Sequence, residues 1–366
     1  MTLATIQEIK EIRPIPDANQ IETAVVLGWQ VVVKKGEFVS GDLCIYLEID
    51  ALLPRKDWSE FLFKPNTDDK QYRLRTVRLR KVTSQGLVLP ISILDSYGDL
   101  VKIEIGADVT PILGIEKYEK QLPGSPSSNW AGTRKGRSFP SFLRKTDEVR
   151  IQSEPWLLEN LHGKSYYITQ KLDGMSASFF RYNGKFGVCS RNMLLLDPRT
   201  PKGFVKKLIH SFKIKFLHYK IPKTDVYWNM VAKYHIEEWL PEGYAIQGEI
   251  CGPGIQGNKV GLESIDLFIF NIWDINNQKY ESPFTFDDGK FSGVSRIFTQ
   301  PYNMLPKFVP PLSEGSNFNM KLDELLEKAK GNYPNGTPQE GIVIRSIDQM
   351  ISFKVVNNEF LLLHGE

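Results

Sequence analysis

"ITQKLDGMS", residues 168 to 176, ends an apolar, strand-like run through Tyr166, Tyr167 and Ile168 with a lysine, then sets an aspartate and a glycine directly behind it. A lysine at such a place needs either water or charged company. Alone, Lys-x-Asp-Gly is a weak signal, and a surface turn with Asp-Gly at its corner would explain it. Later runs change that reading. Glu249 lies in "AIQGEI", Glu340 opens "EGIVIR" and Lys354 interrupts "ISFKVV", each a single charge among apolar neighbours. Buried charges persist when paired or coordinated, so Lys171, Lys354, Asp173, Glu249 and Glu340 are expected to share one site.

A lysine amine becomes a nucleophile when desolvation, a neighbouring cation or a metal ion lowers its pKa. The expectation is therefore an amine at Lys171 kept uncharged in a cleft ringed by acids. Asp173, Glu249 and Glu340 offer hard oxygen ligands, directly or through water, for an ion such as Mg²⁺. A phosphorus centre suits this set as electrophile, because cations absorb the charge that builds on its oxygens as a leaving group such as pyrophosphate departs.

Outward from this stretch, strands are expected at "SYYITQ", "ASFFRY" and "KFGVCSR", the last two joined by the hairpin signal Asn183-Gly184. Helices are expected at about 202–219 and 225–240, the second capped by Asp225 with Val226, Met230 and Tyr234 four apart. Strands return at "YAIQGEI", "DLFIFNIWDI", "GIVIRS" and "ISFKVV", and Leu322, Leu325, Leu326 and Ala329 share a face of one further helix. Residues 146–366 thus read as an α+β domain with antiparallel sheets. Residues 1–115 hold "ATIQEIKEI", "IETAVVLGWQVVVKK", "DLCIYLEID", "YRLRTVRLRKV" and "GLVLPISIL", short runs broken by turn residues, which predict an OB-like β-barrel. Residues 116–145, mixing Pro, Gly, Ser and basic side chains, predict a linker.

A length of 366 residues agrees with two domains, and a net charge of +3 is too small to define a partner. Cys44, Cys189 and Cys251 show no paired spacing and the five histidines no ligand pattern, which argues against a zinc site or disulfide frame and for buried, reduced thiols. Charge comes too early in "MTLATIQEIKE" for a signal peptide, and no apolar run nears the ~18 residues of a membrane helix. The expected protein is soluble, intracellular and monomeric.

In order along the chain, "KLDG" (171–174), "SRN" (190–192), "QGE" (247–249), "LFIFNI" (267–272), "EGIVIR" (340–345) and "SFKV" (352–355) resemble motifs I, Ia, III, IIIa, IV and V of the covalent nucleotidyltransferases, polynucleotide ligases and mRNA capping enzymes. DNA ligases and capping enzymes carry their OB module after motif V, whereas here the barrel candidate comes first. That order resembles the ATP-dependent RNA ligases with an N-terminal OB module, over almost the whole chain. The resemblance implies that Lys171 forms a phosphoamide with AMP and that Lys354 contacts the α-phosphate. It further implies that Arg191 meets ribose or RNA phosphate and that Glu249 holds the ribose and metal. Glu340 with Asp173 would position metal and water, Phe270 (or Phe268) would stack on adenine, and Gln170 beside the nucleophile would read the adenine edge. Gly174 completes the nucleotide-binding set. The cofactors implied are ATP and Mg²⁺ or Mn²⁺. Three departures stand out: Met175 and Ser176 follow motif I where many relatives have arginine, Asn271 replaces the usual Asp, and Ser352 and Val356 leave motif V with one lysine. Arg150 is a candidate substitute cation and an RNA-binding candidate.

Two flanking features have more than one reading. Residues 201–223 carry seven lysines and no acid, interleaved with Phe204, Phe212, Phe216 and Tyr219. Lys206 and Lys207 there are RNA-binding candidates, a solvated helical face is the plain alternative, and a membrane-surface helix, which lacks a second anchor, is the third. In "YRLRTVRLRK", Arg73 and Arg75 fall on one strand face and Arg78 and Arg80 on the opposite phase, so a frame change is needed if all meet one partner. RNA backbone binding by Arg73 and Arg75 stands beside edge-strand protection by charge. "CGPGIQGN" lacks the strand and helix of a phosphate loop and reads as a substrate-side loop.

The expected function is ATP-dependent RNA ligation for RNA repair, joining 3′-hydroxyl and 5′-phosphate ends or nicks with RNA on the 3′-hydroxyl side through lysyl-AMP. A DNA ligase, a GTP-dependent capping guanylyltransferase and a non-catalytic RNA-end-binding protein are the rivals.

Overall fold

The alternating run "ATIQEIKEIRP" forms the long strand Ala4–Pro14, which organises the first part of the molecule. Its first half pairs with Leu43–Leu47 and its second half with Ile21–Val26, and the register shifts between Ile9 and Glu11. Such a bulge bends a strand, letting one segment serve a curled sheet. In this computed structural model, which describes residues 2–100, 102–118, 136–199, 221 and 225–365, Trp29–Lys34 and Leu87–Pro90 complete a five-stranded antiparallel sheet. Ala51–Pro54 pairs with Gln71–Arg73 and Glu116–Lys117 in a second, smaller sheet. Alternation within "LCIYL" feeds two cores: Ile45 and Leu47 pack with Ile6, Leu53 and Leu113, while Cys44 and Tyr46 pack with Ile9, Trp29 and Val88.

The expected single strand in "YRLRTVRLRKV" is instead three short ones, Gln71–Arg73, Val77–Leu79 and Val82–Ser84. The last two form a hairpin turning at Arg80 and Lys81, both with positive φ (47° and 69°). A break therefore lies between Arg73 and Arg78. The chain leaves one sheet before making the hairpin.

Two antiparallel sheets build the second part. The smaller runs Pro311–Gly315, Tyr166–Lys171, Gly341–Ser346, Ser352–Val356. The larger contains, in order, Gly136–Ser138, Met193–Leu195, Lys185–Ser190, Met175–Tyr182, Tyr244–Cys251, Asp266–Asp274 and Lys279–Glu281, with Lys307–Phe308 added in parallel to Asp266–Asp274. Asn183 and Gly184 make the expected hairpin turn with φ of 52° and 67°. Helix Val226–Tyr234 starts at Asp225, whose carboxylate accepts from Trp228 N (3.3 Å). His235, at φ 50°, splits the expected 225–240 helix, and Ile236–Trp239 follows as a separate turn. Helix Leu322–Ala329 lays Leu325 and Ala329 on Ile168, Ile342, Phe353 and Val355, the back of the smaller sheet.

Three elements go beyond the sequence reading. The hairpin Phe284–Asp287/Lys290–Val294 covers Tyr167, and helix Asn358–His364 is capped by Asn357. Both ends of the expected linker join sheets, Glu116–Lys117 on Ala51–Pro54 and Gly136–Ser138 on Met193–Leu195. The expected 202–219 helix, with Lys206 and Lys207, lies outside the described residues. All three cysteines are buried. Among the described residues no helix is long and apolar enough to cross a membrane.

Direct contacts join the two parts. Gly28 N donates to Gln152 O (2.8 Å), Ser153 Oγ donates to Glu48 Oε1 (2.6 Å), and Ile49 packs on Val356 and Leu361.

Candidate active site

Lys171 is the last residue of its strand in the smaller sheet, and Met175 is the first residue of a strand in the larger one. Leu172, Asp173 and Gly174 therefore cross the seam between the sheets. The crossing is tight: a Cβ on Gly174 would fall 2.4 Å from Ile250 O, 2.7 Å from Cys251 Sγ and 2.9 Å from Glu249 Cγ. Only glycine lets motif I pass this close to the strand that carries Glu249. On the smaller sheet, Lys171 pairs with Gly341 and Lys354 with Val343, which brings motifs I, IV and V side by side. Lys171 Nζ lies 2.6 Å from Glu340 Oε1.

A strap of residues 146–151 ties the seam from above. Thr146 Oγ1 and Ser176 Oγ share a hydrogen bond of 2.6 Å, and Arg345 reaches Glu148 at 2.8 Å. Lys354 N donates to Val149 O (2.8 Å) and Ile151 N to Lys354 O (3.1 Å), so the strap extends the smaller sheet and sets Arg150 beside Lys354. Arg150 also pairs with Asp50 Oδ2 (3.4 Å) from the N-terminal part.

Two site residues lacked a sequence signal. The Tyr333 hydroxyl accepts from Asp173 N and Glu340 N (3.1 Å each) and donates to Lys171 O (2.9 Å). Its one proton and both lone pairs are thereby used to fix motifs I and IV. Lys259, at the end of the glycine-rich loop, puts Nζ 2.7 Å from Asp173 Oδ2. Tyr333 lies in a Pro- and Gly-rich loop, where an aromatic carries no periodicity to mark it.

Electrostatics reverse one expectation. Burial alone would lower the Lys171 pKa, but the charges of Glu340 and Glu249, the hydrogen bond from Glu340 and the charge of Asp173 outweigh it and raise it above an ordinary lysine. The amine is an ammonium in the metal-free chain, not an uncharged base. Lys354 is the depressed lysine: burial, with repulsion from Arg150 and Lys171, holds it at about 7. Burial also raises Glu249 to about 8, against the pull of Lys171, and raises Asp173 with help from Glu340.

The other candidates divide. Phe270 is half-buried, with the Arg345 guanidinium 6.0 Å from its ring, and Phe268 is 7% exposed with Lys307 Nζ at 5.6 Å; both pack in the cluster that holds Leu172 and Tyr333. Arg191 lies exposed at the rim, 2.6 Å from Asp147 Oδ1. Gln170 is turned to other work: its amide donates to Gln339 Oε1 (2.7 Å) in a buried pair, because the residue preceding Lys171 faces away from it on a strand. Arg73 is engaged by Asp50 at 2.7 Å and covers the Tyr118 ring at 3.7 Å, a brace within the N-terminal part, whereas Arg75 is exposed.

A family model described as RNA ligase matches residues 164–357, which hold Lys171, Glu249, Glu340 and Lys354. The chain belongs to the RNA ligase family. An OB-fold domain model matches residues 3–91, so the curled β module of this RNA ligase is an OB-fold. Among solved structures, Naegleria gruberi RNA ligase with PPi is 32% identical, with a TM-score of 0.80 over 100% of this chain and 99% of that one. A lysine-to-alanine mutant of the Naegleria gruberi enzyme with ATP and Mn is 32% identical (TM-score 0.79, 98% of each chain). A glutamate-to-alanine mutant with AMP and Mn is 31% identical (TM-score 0.78, 99% and 98%). No curated protein sequence matches the chain.

The RNA ligase's carboxylates do not form a ready-made metal cage: among the described residues no group of three or more His, Cys, Asp or Glu side chains could hold an ion by itself. Asp173, Glu249 and Glu340 nevertheless suit a hard cation that keeps several waters and takes further ligands from phosphates. Glu340 Oε2 is buried without a hydrogen-bond partner among the described residues, which leaves one oxygen available for such an ion.

Proposed function

We propose that this RNA ligase uses ATP to join a 3′-hydroxyl and a 5′-phosphate RNA end through lysyl-AMP formed on Lys171. In the first step Nζ gives up a proton, for which Glu340 at 2.6 Å is the nearest acceptor. The free amine attacks the α-phosphorus of ATP, forming the N–P bond while the bond to the bridging oxygen breaks and pyrophosphate leaves. AMP then passes to the 5′-phosphate of the RNA, restoring the lysine. Finally the 3′-hydroxyl attacks that activated phosphorus, and AMP departs as the phosphodiester forms.

Lys354 serves the α-phosphate. A lysine titrating near neutrality gains its proton readily when an anion arrives, and Arg150 beside it supplies the second cation that motif V lacks. Mg²⁺ or Mn²⁺ held by Asp173, Glu249 and Glu340, directly or through water, would neutralise these acids, lower the lysine pKa and draw charge from the phosphate. Phe270 offers its ring to adenine, and Glu249 and Arg191 bind the ribose side. Residues 1–115 act as the OB domain, 116–145 as the connection and 146–366 as the nucleotidyltransferase domain.

One observation carries this reading: a lysine at the seam of two sheets, 2.6 Å from Glu340, with Glu249 close enough to raise its pKa and Lys354 close enough to be depressed by it. Incubation with α-labelled ATP and Mg²⁺ or Mn²⁺ should label the protein through an acid-labile bond. Lys171→Ala should abolish the label, and its persistence would refute the assignment.

A further inference from the structure

Asp173 is held at both its backbone and its side chain. Its N–H donates to the Tyr333 hydroxyl, and its Oδ2 meets Lys259 Nζ at 2.7 Å, an ion pair whose lysine and aspartate side chains are only 10% and 12% exposed. In a pair this deeply buried, neither charge can trade its partner for water, so each fixes the other. The lysine is itself anchored. Asn258 closes the turn that follows it, its Nδ2 donating to Leu262 O (2.8 Å) and its Oδ1 accepting from Leu262 N (3.1 Å). Asn335, in the loop that carries Tyr333, donates from Nδ2 to Lys259 O (3.1 Å). The fully buried ring of Phe360 lies 4.5 Å from Lys259 Nζ. An ammonium that meets a carboxylate and an aromatic ring together is confined by both.

Phe360 belongs to helix Asn358–His364, which follows motif V directly and is keyed to motif IV. Asn357, its cap, donates from N to Glu340 O (2.9 Å) and from Nδ2 to Gln339 O (3.0 Å). Leu361 of the same helix packs on Ile49 of the OB-fold. Thus the aromatic contact on Lys259 is placed by the strand that carries Lys354 and by the neighbouring domain.

We propose that Lys259 is a positioning residue for adenylate formation: a built-in cation that locks Asp173 Oδ2 and so presents the other carboxylate oxygen to the catalytic metal ion or its water, with Phe360 keeping the ammonium in place. The proposal rests on the lysyl-AMP reading above and names what orients its motif I carboxylate. Charge gives it a signature. A fixed ammonium beside Asp173 repels an arriving metal ion, so the lock weakens metal binding, while it removes the freedom of the carboxylate to swing and so speeds the reaction. A lysine that merely held the loop together would lower affinity and rate together when replaced.

The test uses the full-length protein with Mn²⁺ as the probe. Binding of Mn²⁺ alone is followed by the electron paramagnetic resonance signal of the free ion, and adenylate formation by α-labelled ATP over a Mn²⁺ series. Lys259→Met should bind Mn²⁺ at least ~3-fold more tightly than the wild type, yet form adenylate at least ~10-fold more slowly at saturating Mn²⁺ and ATP. Lys259→Arg, which retains the charge, should keep the wild-type affinity and recover much of the rate. Mn²⁺ binding no tighter in Lys259→Met, or adenylate formation at the wild-type rate, would overturn the proposal. Should that variant unfold, Phe360→Leu decides: slower adenylate formation at unchanged Mn²⁺ affinity supports the lock, and a wild-type rate or a loss of both overturns it. A wild-type chain that forms no adenylate, with the affinity gain of Lys259→Met intact, would overturn the catalytic reading. A wild-type chain that does form it, with Lys259→Met unchanged in both measurements, would overturn the role of Lys259 alone.

Discussion

The proposed attack by Lys171 requires that its neighbouring acids be neutralised, because they hold its amine as an ammonium, and the same acids burden the fold. Glu249, raised to about 8 by burial, is a carboxyl whose folded pKa exceeds its unfolded value of about 4.5. Its contribution to stability is present below the unfolded pKa and is lost as pH rises toward 8. Glu249→Gln should therefore raise the melting temperature of the metal-free protein, by little at pH 5 and by an amount equivalent to about 1–2 kcal/mol near pH 8. Adenylate formation should fall by at least ~100-fold in the same variant. A gain over the wild type no larger at pH 8 than at pH 5 would show that Glu249 ionises without penalty. Tyr333→Phe removes the one hydroxyl tied to Lys171 O, Asp173 N and Glu340 N. It should cost about 1–3 kcal/mol in denaturant unfolding and slow adenylate formation about 10-fold, with little change in KM for ATP.

Elements place these residues through close approach. Gly174→Ala puts a methyl group against Ile250 O and Cys251 Sγ, so motif I must lift from the strand bearing Glu249. Overpacking of this kind costs roughly 1–3 kcal/mol, and adenylate formation should drop far more than stability, which parallel melting and labelling measurements would separate. Legibility at this scale followed period and length. "IQGEI", "GIVIRS" and "SFKVV" alternate or stay apolar long enough to mark strands, and Asn183-Gly184 marks its turn, so these elements are where the sequence predicts them. "YRLRTVRLRKV" also alternates, but the chain leaves the first strand after Arg73 and turns at the positive-φ pair Arg80 and Lys81, and the change of arginine phase was its only local hint. The two-residue strands Glu116–Lys117 and Lys307–Phe308 are held by neighbours rather than by their own propensity.

At the scale of the molecule, the OB-fold reaches into the catalytic seam through Asp50, which holds both Arg73 (2.7 Å) and Arg150 (3.4 Å). Asp50→Ala should weaken adenylate formation about 10-fold by freeing Arg150 to move from Lys354, and Arg150→Ala by a similar factor. The double variant should lose no more than the worse single one, because one interaction is removed twice; full additivity in the labelling assay would show that the residues act separately.

What the sequence determined by itself was the inventory of the catalytic strands: lone charges in apolar runs, at spacings that name Lys171, Glu249, Glu340 and Lys354. Short-range periodicity is enough to mark the strands that carry or adjoin them, but not that Glu249 stands on one sheet and Lys171 and Lys354 on the other. Tertiary structure alone decided which charge meets which. Lys259 reaches Asp173, Tyr333 staples two motifs, and Asp50 holds Arg150, each across a long span of chain. Those pairings depend on how sheets and domains pack, and the resulting field, not residue type, sets Lys171 as the charged lysine and Lys354 as the one near neutrality.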